Sequence, residues 1–120
     1  MTVELRVHRE NILNALELIA DGAGQREYQR QVPFASVPAE LFNQWDDFYY
    51  PEDDRFRETF SDVELLVLSR FDRVLNDIAD ATAQERPPLD EFMKTEAWKT
   101  LSFAAREALS RIEKVGDIRA

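Results

Sequence analysis

Hydrophobic side chains recur along this chain every three or four residues, which is the spacing of an α-helix that buries one face. The first such segment predicts a helix that begins near Leu5 and ends at Asp21, where Gly22 and Gly24 supply a stop signal. Its apolar face consists of Ile12, Leu13, Leu16, Ile19 and Ala20. Residues 2–7 also alternate between polar and apolar as a strand does, so the sequence leaves them open between strand and helix.

Prolines set the limits of the next two predicted helices. A short helix over residues 25–32 ends before Pro33. Pro38 then suits the first turn of a further helix, because a helix leaves the N–H groups of its first turn without partners. The apolar face of this helix is Leu41, Phe42, Trp45 and Phe48. We predict that Trp45 lies in the core, that Pro51 ends the helix, and that residues 51–60 form a charged loop or a single turn.

The clearest local signal is Ser61-Asp62-Val63-Glu64, the pattern of a helix capping box. In a capping box the serine accepts from the Glu64 amide, and the glutamate accepts from the Ser61 amide. The box predicts a helix that runs to about Thr82. Its buried stripe is Val67, Phe71, Val74, Leu75 and Ile78.

The last third of the chain predicts one short and one long helix. Residues 89–93 read as a short helical turn, Thr95 is the predicted N-cap of the last helix, and Gly116 is its predicted end. The buried face of the last helix is Trp98, Leu101, Ala105, Ala108, Leu109 and Ile112. Together these segments predict an all-α fold: a single domain over residues 1–120, built as a compact bundle of four main helices plus one or two short helices.

Acidic residues are concentrated in one stretch of the chain. Residues 40–64 hold nine acidic side chains against Arg55 and Arg57, and so account for seven of the nine net negative charges. Seven aromatic side chains lie in the same stretch: Phe42, Trp45, Phe48, Tyr49, Tyr50, Phe56 and Phe60. Because charges favour water and rings favour burial, we expect the rings to pack and the carboxylates to face solvent or a partner.

Composition excludes several classes of function. The chain has no cysteine, so it has no disulfide, thiolate nucleophile or cysteine-bound zinc, which fits a reducing cytoplasm. The N-terminus shows no secretory signal and no window is apolar enough for a membrane span, so we expect a cytoplasmic protein. A net charge of −9 argues against binding to nucleic acid or to anionic membranes, and favours a basic protein as partner.

Catalytic and metal-binding motifs are absent from the sequence. The run from Asp46-Asp47 to Asp53-Asp54 lacks the alternating acids and the central glycine of a calcium loop, and Pro51 restricts its backbone. His8 is the only imidazole and has no motif around it. We therefore predict no catalytic residue, no metal site and no cofactor, with a carboxylate-based metal-dependent enzyme as the third hypothesis.

Tyrosines beside carboxylates make the end of the Pro38 helix the candidate binding surface. Tyrosine offers large, stiff and amphipathic contact area, and neighbouring carboxylates steer a basic protein toward it. We expect Tyr49 or Tyr50 to be substantially exposed. The predicted partner-binding residues are Asp46, Asp47, Tyr49, Tyr50, Glu52, Asp53, Asp54 and Glu58.

Two resemblances accompany this interpretation. The segments Val32-Pro33-Phe34, Val37-Pro38-Ala39-Glu40-Leu41, Trp45-Asp46-Asp47-Phe48-Tyr49 and Phe60-Ser61-Asp62-Val63-Glu64 resemble small acidic helical bacterial proteins. In size, acidity, helicity and clustered acids and tyrosines, the chain is also similar to the immunity proteins that neutralise colicin-like or contact-dependent toxins. The second resemblance implies a surface that blocks a basic nuclease site, and it assigns no role to any single residue.

The leading hypothesis is a non-enzymatic protein-binding module that presents residues 46–58 to a basic partner, with toxin immunity as its most specific version. The main alternative is a self-associating structural protein whose acidic stretch only keeps it soluble. The sequence leaves the oligomeric state and the convergence of the carboxylates open.

Overall fold

Seven α-helices form within residues 3–82 and 86–119, the ranges that the computed structural model describes, and no strand occurs in these ranges. The helices are α1 (Val3–Ala20), α2 (Gly22–Gln31), α3 (Val37–Phe48), α4 (Asp54–Thr59), α5 (Asp62–Thr82), α6 (Leu89–Phe92) and α7 (Glu96–Arg119). The predicted all-α fold is confirmed. Residues 3–7 are helical rather than extended, while residue 2 lies outside the described ranges.

Glycine does not end α1 in the way that the sequence predicted. Neither Gly22 nor Gly24 has a positive φ, and both belong to the first turn of α2. The free carbonyls at the end of α1 are bound by side chains instead: the fully buried Gln25 amide donates to the Leu18 and Ile19 oxygens at 2.9 and 3.0 Å. Side-chain donors thus replace the left-handed glycine that was expected to close the helix.

Gly22 has a packing role. A Cβ at this position would lie 2.8 Å from the Met93 Cε and 3.3 Å from the Trp98 ring, so the absence of a side chain lets α2 begin against these two residues. Trp98 is fixed in turn by a 2.9 Å hydrogen bond from its Nε1 to the Gln25 Oε1. The first turn of α2 is thereby joined to both α1 and α7.

The core is formed by α1, α3, α5 and α7, with α4 and α6 each adding buried phenylalanine. Phe56 of α4 is 0% exposed, which explains why residues 54–59 form a helix rather than the predicted loop or single turn. Helix α1 packs against α7, α3 and α4, and α5 packs against α7. Trp45 joins α3 to α5 through an edge-to-face contact with Phe71, at 4.7 Å between ring centroids.

The predicted buried faces are largely confirmed. In α5, Val67, Phe71 and Leu75 are buried, whereas Val74 and Ile78 are half-buried. In α7 the buried members are Leu101, Ala105, Ala108 and Ile112, and the half-buried members are Trp98 and Leu109. Helix α7 continues to Arg119, so the prediction that Gly116 ends it was wrong.

The capping box at the start of α5 is confirmed. The Ser61 amide donates to the Glu64 Oε1 at 2.9 Å, and the Glu64 amide donates to the Ser61 hydroxyl at 3.1 Å. The Arg9 guanidinium on α1 donates to the other Glu64 oxygen at 2.9 Å. Burial alone would raise the pKa of Glu64, but the hydrogen bonds from Arg9 and Ser61 outweigh it and hold that pKa below its ordinary value. Thr95 likewise caps α7, accepting from the Trp98 amide at 3.1 Å.

Candidate protein-binding surface

The predicted binding residues occupy the end of α3, a short turn and α4. Helix α3 is capped by Ser36, whose hydroxyl accepts from the Ala39 amide at 3.3 Å. It ends at Phe48, and the Tyr49 amide donates to the Trp45 carbonyl at 2.9 Å as the chain turns away. The Asp53 carboxylate then starts α4 by accepting from the Arg55 amide at 2.8 Å.

Tyr49 and Tyr50 have different environments. The Tyr49 ring stacks on the fully buried Trp45 at 4.9 Å between centroids, and meets the edge of Phe56 at 5.6 Å. Tyr50 is 47% exposed, which confirms that one of the two tyrosines is substantially open to solvent. Tyr49 therefore forms a half-buried platform, and Tyr50 stands beside it at the protein surface.

Asp72, on α5, adds a further carboxylate beside the end of α3. Trp45 is fully buried, yet its indole N–H needs an acceptor, and it donates to the Asp72 Oδ1 at 2.9 Å. This hydrogen bond holds Asp72 against the end of α3. The sequence analysis did not include Asp72 among the site residues.

Shifts in pKa show that the carboxylates act on one another and on Tyr49. Partial burial, followed by repulsion from Asp72 and Asp47, raises the pKa of Asp46 above its ordinary value. Burial, followed by repulsion from Asp72 and Glu52, raises the pKa of Tyr49 to about 12, although a hydrogen bond with Ser69 opposes this shift.

These residues define the acidic surface: Asp46, Asp47, Tyr49, Glu52 and Asp72. None of its four carboxylates forms an ion pair with a residue in the described part of the chain. The carboxylates predicted as partner-binding thus converge in part, and the structure adds one that sequence reasoning missed.

The remaining predicted residues have local roles or stand apart. Asp53 is the N-cap of α4, and Asp54 is ion-paired with Arg57 one turn further along the same helix. Glu58 is exposed on α4. Asp53 and Asp54 are therefore partly satisfied within the chain, which makes them weaker candidates for a partner than Asp46, Asp47 and Glu52.

One feature of the sequence could have identified Asp72. Leu68, Phe71, Asp72 and Leu75 fall on one side of α5, so Asp72 is an acid within a core-facing stripe. An acid at such a position needs a buried donor, and the indole of a core tryptophan is one. Which tryptophan it meets depends on how α3 and α5 pack together.

Other chemistry is not assembled around this surface. Among the side chains that the structure describes, those of residues 6–82 and 86–112, no three histidine or acidic groups are placed to hold a metal ion. His8 is half-buried and packs edge-on against the Phe56 ring at 6.1 Å, which is a packing role. None of the helices in the described ranges is long and apolar enough to cross a membrane.

Comparison with known proteins leaves the function to be argued from the site itself. No model of a known protein family matches the chain, and neither the curated proteins nor the solved structures contain a significant match.

Proposed function

We propose that this protein is a non-enzymatic binding module that uses its acidic surface to bind a basic protein. The observation that carries the proposal is that Asp72 of α5, held by the Trp45 indole, lies close enough to repel both Asp46 of α3 and the Tyr49 phenolate, on which Glu52 of the following turn also acts. These carboxylates lack cationic partners within the described chain, whereas Asp54, Glu27 and Glu96 each have one.

The electrostatics of the acidic surface favour a cationic ligand. The raised pKa of Asp46 means that its ionised form is destabilised, first by partial burial and then by repulsion from Asp72 and Asp47. A lysine or arginine placed among these carboxylates would relieve that repulsion, and the pKa of Asp46 would fall when the partner binds. Binding should therefore release protons at a pH near the raised pKa of Asp46, which calorimetry in buffers of different ionisation enthalpy can detect.

Tyr49 and Tyr50 allow a partner to be bound through contacts with aromatic rings as well as through charge. Tyr50 is exposed, and the Tyr49 ring is held by stacking on Trp45, so Tyr49 has little conformational freedom to lose when a partner binds. Tyrosine is enriched among residues that dominate binding energy for this reason, and arginine stacks readily on such rings. An arginine-rich surface on a folded protein therefore matches both the charge and the rings.

Toxin immunity is the most specific version of this proposal. It is supported by the sequence resemblance and by the chemistry, because a nuclease active site that binds phosphate is basic. Protection of cells by co-expression of the protein with a candidate nuclease would separate this version from other basic partners.

A capture experiment with two matched variants tests the proposal. The first variant carries Asp46→Asn, Asp47→Asn, Glu52→Gln and Asp72→Asn, the last of which still offers the Trp45 indole an amide oxygen as acceptor. The control neutralises four exposed acids on other faces, Glu10, Glu17, Asp77 and Asp80, and so has the same net charge. The wild-type protein and the control should retain the same basic partner from a lysate, and the first variant should lose it.

Kinetics with the captured partner would refine the result. Neutralising the acidic surface should slow association and reduce its dependence on salt, while Tyr50→Ala should mainly speed dissociation. Equal partner profiles for the wild-type protein and the first variant would contradict the proposal and favour the alternative, in which the acidic stretch only keeps a structural protein soluble.

A further inference from the structure

A groove lies on a second face of the molecule, apart from the acidic surface. The groove lies between α5 and α7 and has a volume of about 380 Å³. It is lined by Val67, Arg70, Phe71 and Val74 of α5 and by Phe103, Ala104, Glu107, Ala108 and Arg111 of α7. Phe103 at its edge is 58% exposed, and Val63, one turn before Val67 on α5, is also 58% exposed. Two of the six exposed large hydrophobic side chains in the described chain are therefore on this face.

Contacts with α1 show that α5 and α7 run in opposite directions. Arg9, early in α1, binds Glu64 at the start of α5, whereas the last residue of α1, Ala20, accepts from the Ser102 hydroxyl near the start of α7. The two helices therefore begin at opposite ends of α1. Counting along an antiparallel pair from these contacts, Val74 falls at about the level of Phe103, and Arg70 at about the level of Glu107, and all four line the groove.

Charges of both signs flank the groove without partners. Arg70 and Arg111 are exposed, Glu107 is exposed, and none of the three forms an ion pair with a residue in the part of the chain that the structure describes. In the groove the cation Arg70 lies on α5, while the anion Glu107 and the cation Arg111 lie on α7, around an apolar centre. Such a surface is complementary to itself.

We propose that this face binds a second copy of the chain and forms a two-fold symmetric dimer. A two-fold axis parallel to the helices exchanges the positions of α5 and α7 and preserves the level along them. It places α5 of one copy antiparallel on α7 of the other, and brings each Arg70 to the Glu107 of the second copy. Phe103, Val67 and Val74 are then enclosed within a four-helix arrangement.

The dimensions suit a stable pair. Helix α5 has 21 residues, so it is about 30 Å long, and two adjacent helices each about 10 Å wide give a face of roughly 600 Å². A standard interface buries about 800 Å² of accessible surface on each partner. Because side chains project from a helical face, its accessible surface is larger than its flat area, so a flat area of roughly 600 Å² is in the range of a standard interface. Ala104 and Ala108 lie in the groove and allow a facing helix to approach closely.

The acidic surface remains free in this dimer. Asp72 is two residues from Arg70, and two residues turn a helix by about 200°, so they point to nearly opposite sides of α5. Each dimer would therefore present two acidic surfaces, and a partner with two basic sites would be held by both.

Sedimentation velocity of the full chain at increasing concentration tests the dimer. The wild-type protein should reach the mass of a dimer. Phe103→Asp should shift it to a monomer while far-ultraviolet circular dichroism stays unchanged, because Phe103 is exposed in the single copy.

Charge reversal gives a sharper test that does not depend on Phe103. Arg70→Glu alone and Glu107→Arg alone should each be monomeric, because each variant places like charges across the interface. Mixing the two variants should restore a dimer, since both cross-interface pairs are then of opposite sign. Arg73→Glu on α5 and Glu17→Arg on α1 are the matched controls, being residues outside the groove, and both should remain dimeric.

Three results would overturn the proposal: a monomer at every concentration, a dimer unaffected by Phe103→Asp and Arg70→Glu, or single charge variants that fail to pair when mixed. A dimer abolished by neutralising the acidic surface instead would show a head-to-tail contact, and would also reject the two-fold arrangement.

Discussion

Replacing Arg9 by methionine tests how a buried carboxylate is held at the start of α5. Methionine keeps most of the apolar stem of arginine and removes the charge that binds Glu64. The Glu64 side chain is only 1% exposed, whereas that of Arg9 is 23% exposed. The anion is therefore the buried member of the pair, and the cation reaches water.

The expected cost follows from this asymmetry. Breaking a fully buried ion pair costs about 3–5 kcal/mol, and losing a hydrogen bond to a charged group costs about 1.5–3 kcal/mol. Because Glu64 keeps the Ser61 amide as a donor and Arg9 is partly solvated, we expect Arg9→Met to cost about 2 kcal/mol at pH 7. Glu64→Gln should cost less, about 1 kcal/mol, since glutamine preserves the capping box and leaves an arginine that water can solvate.

The pH dependence gives the decisive assay. The folded pKa of Glu64 is depressed, so its stabilisation is present above the ordinary value of 4.5 and is lost as the pH falls through the folded pKa. In Arg9→Met this pKa should rise, so the destabilisation relative to the wild-type protein should shrink as the pH falls through 4.5 toward the folded pKa of the wild-type Glu64. Urea denaturation at neutral and acidic pH measures both values.

An exposed arginine on the same helix provides the control. Arg6→Met should change the free energy of unfolding by no more than about 0.5 kcal/mol at either pH, since Arg6 is exposed. The reasoning would be refuted if Arg9→Met were as harmless as Arg6→Met, if Glu64→Gln cost more than Arg9→Met, or if the cost of Arg9→Met did not change with pH.

Two further predictions concern the core and the acidic surface. Chemical denaturation should show that Phe71→Ala costs about 3–5 kcal/mol, because it opens a cavity against the core, while Ser61→Ala costs about 1 kcal/mol through loss of a cap; equal costs would contradict the proposed burial. Absorbance titration should show one phenol ionising near pH 12 that Tyr49→Phe removes. Asp72→Asn should lower the pKa of Tyr49, because it removes the repulsion from Asp72. In the unfolded chain the phenol has its ordinary pKa of 10.0, so the native protein should lose stability as the pH rises from 10 toward 12.

Elements with local signals were predicted well from the sequence. The capping box of Ser61 and Glu64 and the position of Pro38 depend on neighbours within four residues, so the starts of α3 and α5 needed no knowledge of tertiary contacts. The buried faces of α5 and α7 follow for a similar reason, because helical periodicity fixes which side chains share a face.

Predictions about where helices end were less successful, since they depend on what the rest of the chain supplies. Gly22 looked like a stop signal, yet the end of α1 is closed by Gln25 and Ser102, which come from α2 and α7. Residues 51–60, which include α4, form a short and charged segment, and the sequence predicts a charged loop or a single turn for them. The formation of α4 depends on the Asp53 cap and on burial of Phe56 against other elements, and only the first of these is visible in the sequence.

Only part of the acidic surface could be predicted from the sequence. Its members on α3 and the following turn are near one another in the chain, so composition identified them. Asp72 joins them because α3 places a large indole in the core, and the N–H of that indole requires an acceptor at the boundary with solvent. The Asp72 carboxylate thus lies beside Tyr49 because the buried Trp45 indole needs an acceptor. The same hydrogen bond that completes the packing of Trp45 also strengthens the negative potential of the proposed binding surface, so the packing of the core and the proposed recognition depend on one side chain.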